Sequence, residues 1–155
     1  MQISIIAVGK NMPDWVTTGF DEYVNRMPSN YTTRLIEIPL EKRTKNSDIA
    51  KLIAAEENKI EAAVGKDDYC IALDRIGKAR DTKTLAKMLQ TWHDNHQSIC
   101  FIIGGPEGLT DGFLKRANEV WSLSAMTLPH PLVRVVLAEQ LYRAWSITIN
   151  HPYHR

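Results

Sequence analysis

The chain has 155 residues, the size of one domain and long enough to close a hydrophobic core without disulfide or metal staples. Hydrophobic residues make up 44% and charged residues 24%, which excludes the disordered and collagen-like classes. With 19 Lys and Arg against 18 Asp and Glu, the net charge of +1 excludes a protein whose overall field captures nucleic acid, but not one with a local basic face.

Apolar runs of strand length alternate with stretches of helical period, which predicts an α/β fold with a mostly parallel sheet in a single domain over 1–155. The first predicted strand is Ile3–Val8. It lacks the basic start and small-residue cleavage site of a secretory signal, and no run in the chain nears the roughly 18 apolar residues of a membrane span. A helix is predicted from Pro13, with Asp14 at its positive end and Trp15, Val16, Phe20, Tyr23 and Val24 on its apolar side. Thr32–Ile38 reads as the second strand, stopped by Pro39. Ser47 is the expected cap of the next helix, with Ile49, Leu52, Ile53, Ile60 and Val64 as its buried stripe and Gly65 as a left-handed stop. The basic stretch between them, Glu41-Lys42-Arg43-Thr44-Lys45, reads as a solvated loop or an RNA contact.

Tyr69–Leu73 is the third predicted strand. Thr82 is the expected cap of a helix whose Leu85, Met88, Leu89 and Trp92 fall at i, i+3, i+4 and i+7. Ser98–Ile103 follows as a continuous apolar strand, then a glycine loop Gly104-Gly105-Pro106-Glu107-Gly108, a short helix over 111–118 and a short strand Val120–Leu123. Pro131 opens a long helix to about Ile149, and Asn150-His151-Pro152-Tyr153-His154-Arg155 forms a polar tail. Cys70 and Cys100 each lie inside a predicted strand and read as two free buried thiols in a reducing, cytoplasmic compartment.

The chemistry-bearing features gather at loops. Three strand ends, after Leu73, Ile103 and Leu123, fall where ligands bind in open α/β sheets if those strands are neighbours. The glycine loop reads either as a tight turn or as a site of close backbone approach; it lacks the Gly-Lys-Ser/Thr ending of a phosphate loop and the Gly-x-Gly-x-x-Gly pattern. The 123–128 loop, Leu123-Ser124-Ala125-Met126-Thr127-Leu128, is either a plain connection or a stretch whose accessible backbone reads an adenine edge. His130, His151 and His154 lie in the last 26 residues with Arg134, Arg143 and Arg155, opposed there only by Glu139. That ending is a solvated terminus or an RNA-facing surface on which Tyr153 stacks. His93-x-x-His96 and His151-x-x-His154 lack the further ligands of a zinc site, so no metal is expected. No serine-nucleophile elbow is present, and both cysteines sit within strands.

Taken in order, Ile102-Ile103-Gly104-Gly105-Pro106-Glu107-Gly108-Leu109, Trp121 through Arg134, Glu139-Gln140-Leu141-Tyr142-Arg143-Ala144-Trp145-Ser146 and the 150–155 ending closely resemble the ribosomal RNA large subunit methyltransferase H family of the SPOUT (α/β-knot) class. The resemblance runs from the first strand through Met12-Pro13-Asp14-Trp15 to Arg155. It implies a C-terminal deep trefoil knot, against the usual rule of unknotted connections, and a homodimer without a separate RNA-binding domain. It also implies methylation at N3 of pseudouridine 1915 in helix 69 of 23S rRNA, on assembled 70S ribosomes, with S-adenosylmethionine as donor.

Carried over residue by residue, the resemblance assigns Leu73, Gly104, Gly105, Leu123, Ser124, Ala125, Met126, Thr127 and Leu128 to the donor, with Glu107 shaping the neighbouring crossing. His130, Arg143, Tyr153, His154 and Arg155 would face the target nucleotide, with His154 or His130 handling the proton, Glu139 orienting an arginine or histidine, and the tail of one subunit reaching the donor pocket of the other. Val133, Val136, Leu137 and Leu141 are candidates for the dimer face or for the ordinary core. Rival expectations are a ribosome-binding factor without turnover, a knot methyltransferase with another RNA target, and a plain mononucleotide-binding protein.

Overall fold

A computed structural model describes residues 1–155. Its strands are β1 (Gln2–Val8), β2 (Thr32–Ile38), β3 (Tyr69–Ala79), β4 (Ile99–Ile103) and β5 (Glu119–Ser122). Its helices are α1 (Asp14–Val24), α2 (Ile49–Ala63), α3 (Thr82–Asp94), α4 (Asp111–Arg116) and α5 (His130–Thr148), followed by a 3-10 turn over Pro152–His154. The strands form one sheet in the order β2-β1-β4-β3-β5, and every neighbouring pair is parallel. Parallel neighbours need a crossover, which the intervening helices provide.

Alternation along the strands decides which helices cover which face. Ile3, Ile5 and Ala7 of β1 and Ile99, Phe101 and Ile103 of β4 pack with Phe20 of α1, Leu85 and Leu89 of α3, and Leu137, Ala138 and Leu141 of α5. Ile6, Val8, Cys100 and Ile102 turn the other way, onto Ile60 of α2 and Phe113 of α4. All of β4 is buried, as expected of a central parallel strand covered on both faces. The strand order and the α5 packing are consistent with the C-terminal knot that the family resemblance implies.

Several local expectations change. Asp48, not Ser47, caps α2 by accepting from the Lys51 N–H at 3.3 Å, while Ser47 Oγ accepts from the Thr44 N–H at 2.7 Å. Asp81, not Thr82, caps α3 through the Thr84 N–H at 2.7 Å; Thr82 instead donates to Gln140 on α5 at 2.7 Å. In both places a carboxylate one residue away outcompetes the hydroxyl as an acceptor. Gly65 is not a left-handed stop: Val64 is extended, and the Gly65 N–H donates to Asp68 Oδ2 at 3.0 Å. The buried side of α2 holds Glu56 and Glu57 beside Ile60, whereas Ile49 is exposed. Trp15, expected on the apolar side of α1, is 56% exposed. Of the expected dimer stripe, Leu137 and Leu141 belong to the core. Cys70 and Cys100 are free and face each other in register on β3 and β4, although Cys70 is only partly buried.

Candidate active site

The register of the sheet brings Leu73 of β3 beside the ends of β4 and β5. Leu73 lies opposite Ile103 on β4 and Trp121 on β5, at the point where β3 shifts register. There lies a cavity of about 300 Å³ lined by Leu73, Ile103, Gly104, Gly105, Leu123, Ser124, Met126, Thr127, Leu128 and His130. All the predicted donor residues except Ala125 therefore meet in one place, although they are separated by up to 55 positions along the chain. The loop closes through Gly108, whose φ of +77° suits a residue without a side chain, and its N–H donates to the Gly105 carbonyl at 3.0 Å.

Sequence reasoning missed Asp74 and Arg75, which also line the cavity. They escaped because β3 was expected to end at Leu73, whereas it shifts register and continues to Ala79. Two adjacent charges directly after an apolar run were the signal that something other than core lay there. The charged lining thus consists of Asp74 and Glu107 against Arg75, with His130 beside them. Glu107 is paired with the Arg43 guanidinium at 2.6 Å, so the lining is close to electrically balanced and offers no excess of positive charge for an anionic phosphate. The residues present therefore fit S-adenosylmethionine, a cationic sulfonium with an adenosine body for the apolar walls, better than ATP or NAD.

Arg43 belongs to this site rather than to a solvated loop. Its guanidinium reaches Glu56 Oε1 and Glu107 Oε2, each at 2.6 Å, tying the glycine loop to α2. The bonds from Arg43 hold the Glu107 carboxyl below the usual carboxylate range. A basic residue with two acids far away in sequence leaves no local signature, so only the tertiary structure reveals the tie. Arg134, counted in the basic ending, is also removed from any RNA: it is 1% exposed, paired with Glu37 at 2.7 Å and donating to the Gly9 carbonyl at 2.8 Å. Burial first, and the Arg134 charge second, push the His130 imidazole below its ordinary value.

The other target-facing candidates lie elsewhere on the protomer. Tyr153 Oη donates to Glu139 Oε1 at 3.0 Å, and Arg143 Nε donates to the same oxygen at 2.8 Å. The Arg143 guanidinium stands 4.9 Å over the Tyr153 ring, which meets the Tyr142 ring edge-on at 4.7 Å. Burial and bonds with Tyr23 and Glu139 raise the Tyr153 phenol, so it stays a neutral donor. His151 caps the terminal turn, His154 has an Nδ1 that is buried without a partner, and Arg155 is exposed. From His130 to Arg143 is 13 residues of α5, about 20 Å at the helical rise. No group of three or more His, Cys, Asp or Glu gathers as a metal site; His93 stacks on Tyr31 at 4.8 Å.

A family model described as predicted SPOUT methyltransferase matches residues 1–154. Over 155 residues, all of both chains, the protein is 49% identical to the ribosomal RNA large subunit methyltransferase H of Coxiella burnetii. The chain belongs to the ribosomal RNA large subunit methyltransferase H family. As a SPOUT methyltransferase it is an enzyme, and solved structures share its fold. A probable methylase family protein from Haemophilus influenzae superposes with a TM-score of 0.59 at 13% identity, covering 99% of this chain and 70% of that one. A probable methyltransferase from Bordetella pertussis gives 0.59 at 15% identity, with 92% and 95% covered. No helix of this methyltransferase is long and apolar enough to cross a membrane.

Proposed function

We propose that the protein methylates N3 of pseudouridine 1915 in helix 69 of 23S rRNA within the 70S ribosome, in the cytoplasm, as a homodimer using S-adenosylmethionine. The observation that carries this reading is the end-to-end identity with a ribosomal RNA methyltransferase. The cavity, with its apolar walls and no excess of positive charge for a phosphate, supports the donor.

The donor supplies a methyl group on a positively charged sulfur. Leu73, Ile103, Leu123 and Leu128 would enclose its adenosine portion, and the small residues Gly104, Gly105, Ser124 and Thr127 leave backbone groups within reach. Attack by N3 requires loss of an imide proton. His130, at the cavity and held neutral by its surroundings, is placed to accept it. Arg143 and Arg155 would position phosphate or favour the imide anion, Tyr153 would orient the base, and Glu139 holds both Arg143 and Tyr153. No covalent protein intermediate is needed, in keeping with thiols placed inside strands.

The tail sits far along α5 from His130 of its own protomer, so a homodimer in which the tail of one copy meets the donor cavity of the other accounts for both halves of the site. The test is transfer of labelled methyl from S-adenosylmethionine to ribosomes lacking the modification, beside free 23S rRNA. Label at N3 of the helix 69 pseudouridine in ribosomes alone is the expected result. Label on another RNA, or none from a folded protein that binds the donor, would overturn the assignment.

A further inference from the structure

Beside the tail, α3 and α5 border a second groove of about 630 Å³. Lys83, Lys87 and Gln90 stand on one stripe of α3 at i, i+4 and i+7. They line the groove together with Arg143, Thr148 and His154, and no carboxylate lines it. Arg143 is paired with Glu139 at 2.7 Å and keeps part of its guanidinium in solvent. Lys83 and Lys87 take part in none of the ion pairs of the molecule. The acid nearest in sequence, Asp81, caps α3 through the Thr84 N–H and acts on both lysines through space without forming an ion pair with either. On a chain whose net charge is only +1, two ammonium groups one helical turn apart, neither in an ion pair, form a local concentration of positive charge. Gln90 is held by Asp94 at 2.7 Å and Thr148 by the Trp145 carbonyl at 2.7 Å, so the lysines are the groups left to meet a ligand. Charge complementarity therefore selects a polyanion as the occupant.

We propose that this groove is a track for RNA phosphates, in which Lys83 and Lys87 hold the strand flanking the nucleotide presented by the tail. The inference rests on RNA being the substrate and extends its contact surface onto α3, which contributes nothing to the donor cavity. The lysines act as positioning residues: each neutralised phosphate releases counterions, so their contribution is read in the salt dependence of binding.

The experiment compares the full-length wild type with Lys83→Ala/Lys87→Ala, using a fluorescein-labelled RNA hairpin for binding and unmodified ribosomes for kinetics. The double variant is expected to bind RNA at least tenfold more weakly at low salt. Its slope of log affinity against log salt should be shallower by about 1.4–1.8, the value for two phosphate contacts. KM for ribosomes rises while kcat and the affinity for S-adenosylmethionine stay unchanged, and Lys83→Arg/Lys87→Arg restores most of the loss. Lys51→Ala/Lys66→Ala, on exposed lysines elsewhere, leaves binding unaltered. An unchanged slope and KM would overturn the proposal, as would a wild type that does not bind the hairpin. Loss of the dimer on a sizing column would reassign the groove to a second copy of the chain. If the wild type binds the hairpin with lysine-dependent salt slope but methylates no ribosome, the groove stands and the methylation target falls.

Discussion

Arg43 holds two carboxylates at once, and its replacement shows what the glycine loop depends on. Its side chain is 20% exposed and that of Glu56 only 4%, so Arg43→Ala leaves a nearly buried carboxylate without its counter-charge. A loss of about 3 kcal/mol in urea unfolding is expected, at the lower end for an orphaned buried charge because the guanidinium itself keeps some water. Calorimetric titration should also show weaker binding of S-adenosylmethionine, since Glu107 and the loop it belongs to lose their tether. Unchanged donor affinity would show that the loop holds its shape alone. His130 makes a separate prediction about pH. Its imidazole is depressed by burial and by the Arg134 charge, so the neutral form persists below the ordinary value of about 6.5. The acid limb of kcat/KM should lie below that value, and His130→Gln should remove the limb and slow transfer by about 100-fold or more. A limb that survives the substitution would assign it to another group. The same shift carries a stability consequence: the unfolded chain binds the proton more readily than the folded one, so stability gained from this group rises with pH between the lowered folded value and about 6.5.

Among the elements, β3 is the one whose shape the site depends on. It pairs with β5 through Leu73, changes register and pairs again from Lys78. Gly77 sits in that irregular stretch, where a Cβ would come within 2.5 Å of the Trp121 carbonyl carbon and 2.7 Å of its nitrogen. The obstacle is the β5 backbone at Val120 and Trp121, so no side chain can swing away. Gly77→Ala should therefore part β3 from β5, at a cost of about 3 kcal/mol. That corresponds to a fall in Tm of about 6–12 °C for a chain of this size, read by thermal unfolding. Because β5 leads directly into Leu123 and Ser124, donor binding should weaken with it; an unchanged Tm would mean that the pairing tolerates a methyl group. The register shift was not legible beforehand. Tyr69–Leu73 carries the apolar strand pattern, whereas Asp74-Arg75-Ile76-Gly77 has polar residues that fall outside the pairing with β5, which resumes only at Lys78.

At the scale of the whole molecule, one protomer keeps its two sets of candidate groups apart along α5. His130 stands at the cavity, while Tyr153 is anchored to Glu139 and Arg143 beside the second groove. A dimer with shared sites predicts complementation. A chain lacking residues 151–155, mixed with a chain carrying a donor-blocking change in the 123–128 loop, should regain methyl transfer that neither shows alone, up to about half of the sites per dimer. Donor binding by the tail-deleted chain should remain intact in calorimetry. Failure of the verified heterodimer to recover any activity would place the whole site within one protomer.

The sequence by itself determined the alternation of strands and helices, the all-apolar β4 and the loops that follow β4 and β5, because these follow from local periodicity and from the turn preferences of glycine and proline; the end expected for β3 after Leu73 was not found. β2 was legible to its boundaries, Thr32–Ile38, since alternation and the following Pro39 mark both ends. The ordered motifs single out the candidate donor residues, and all of them but Ala125 line one cavity. Tertiary structure alone decided which charges serve the site and which serve the core. Arg134 and Arg43 have the same composition as solvated arginines, yet one is buried on Glu37 and backbone carbonyls and the other joins α2 to the glycine loop. The partners stand 97, 13 and 64 residues away, and electrostatic pairing depends on distance in space, which no local pattern records.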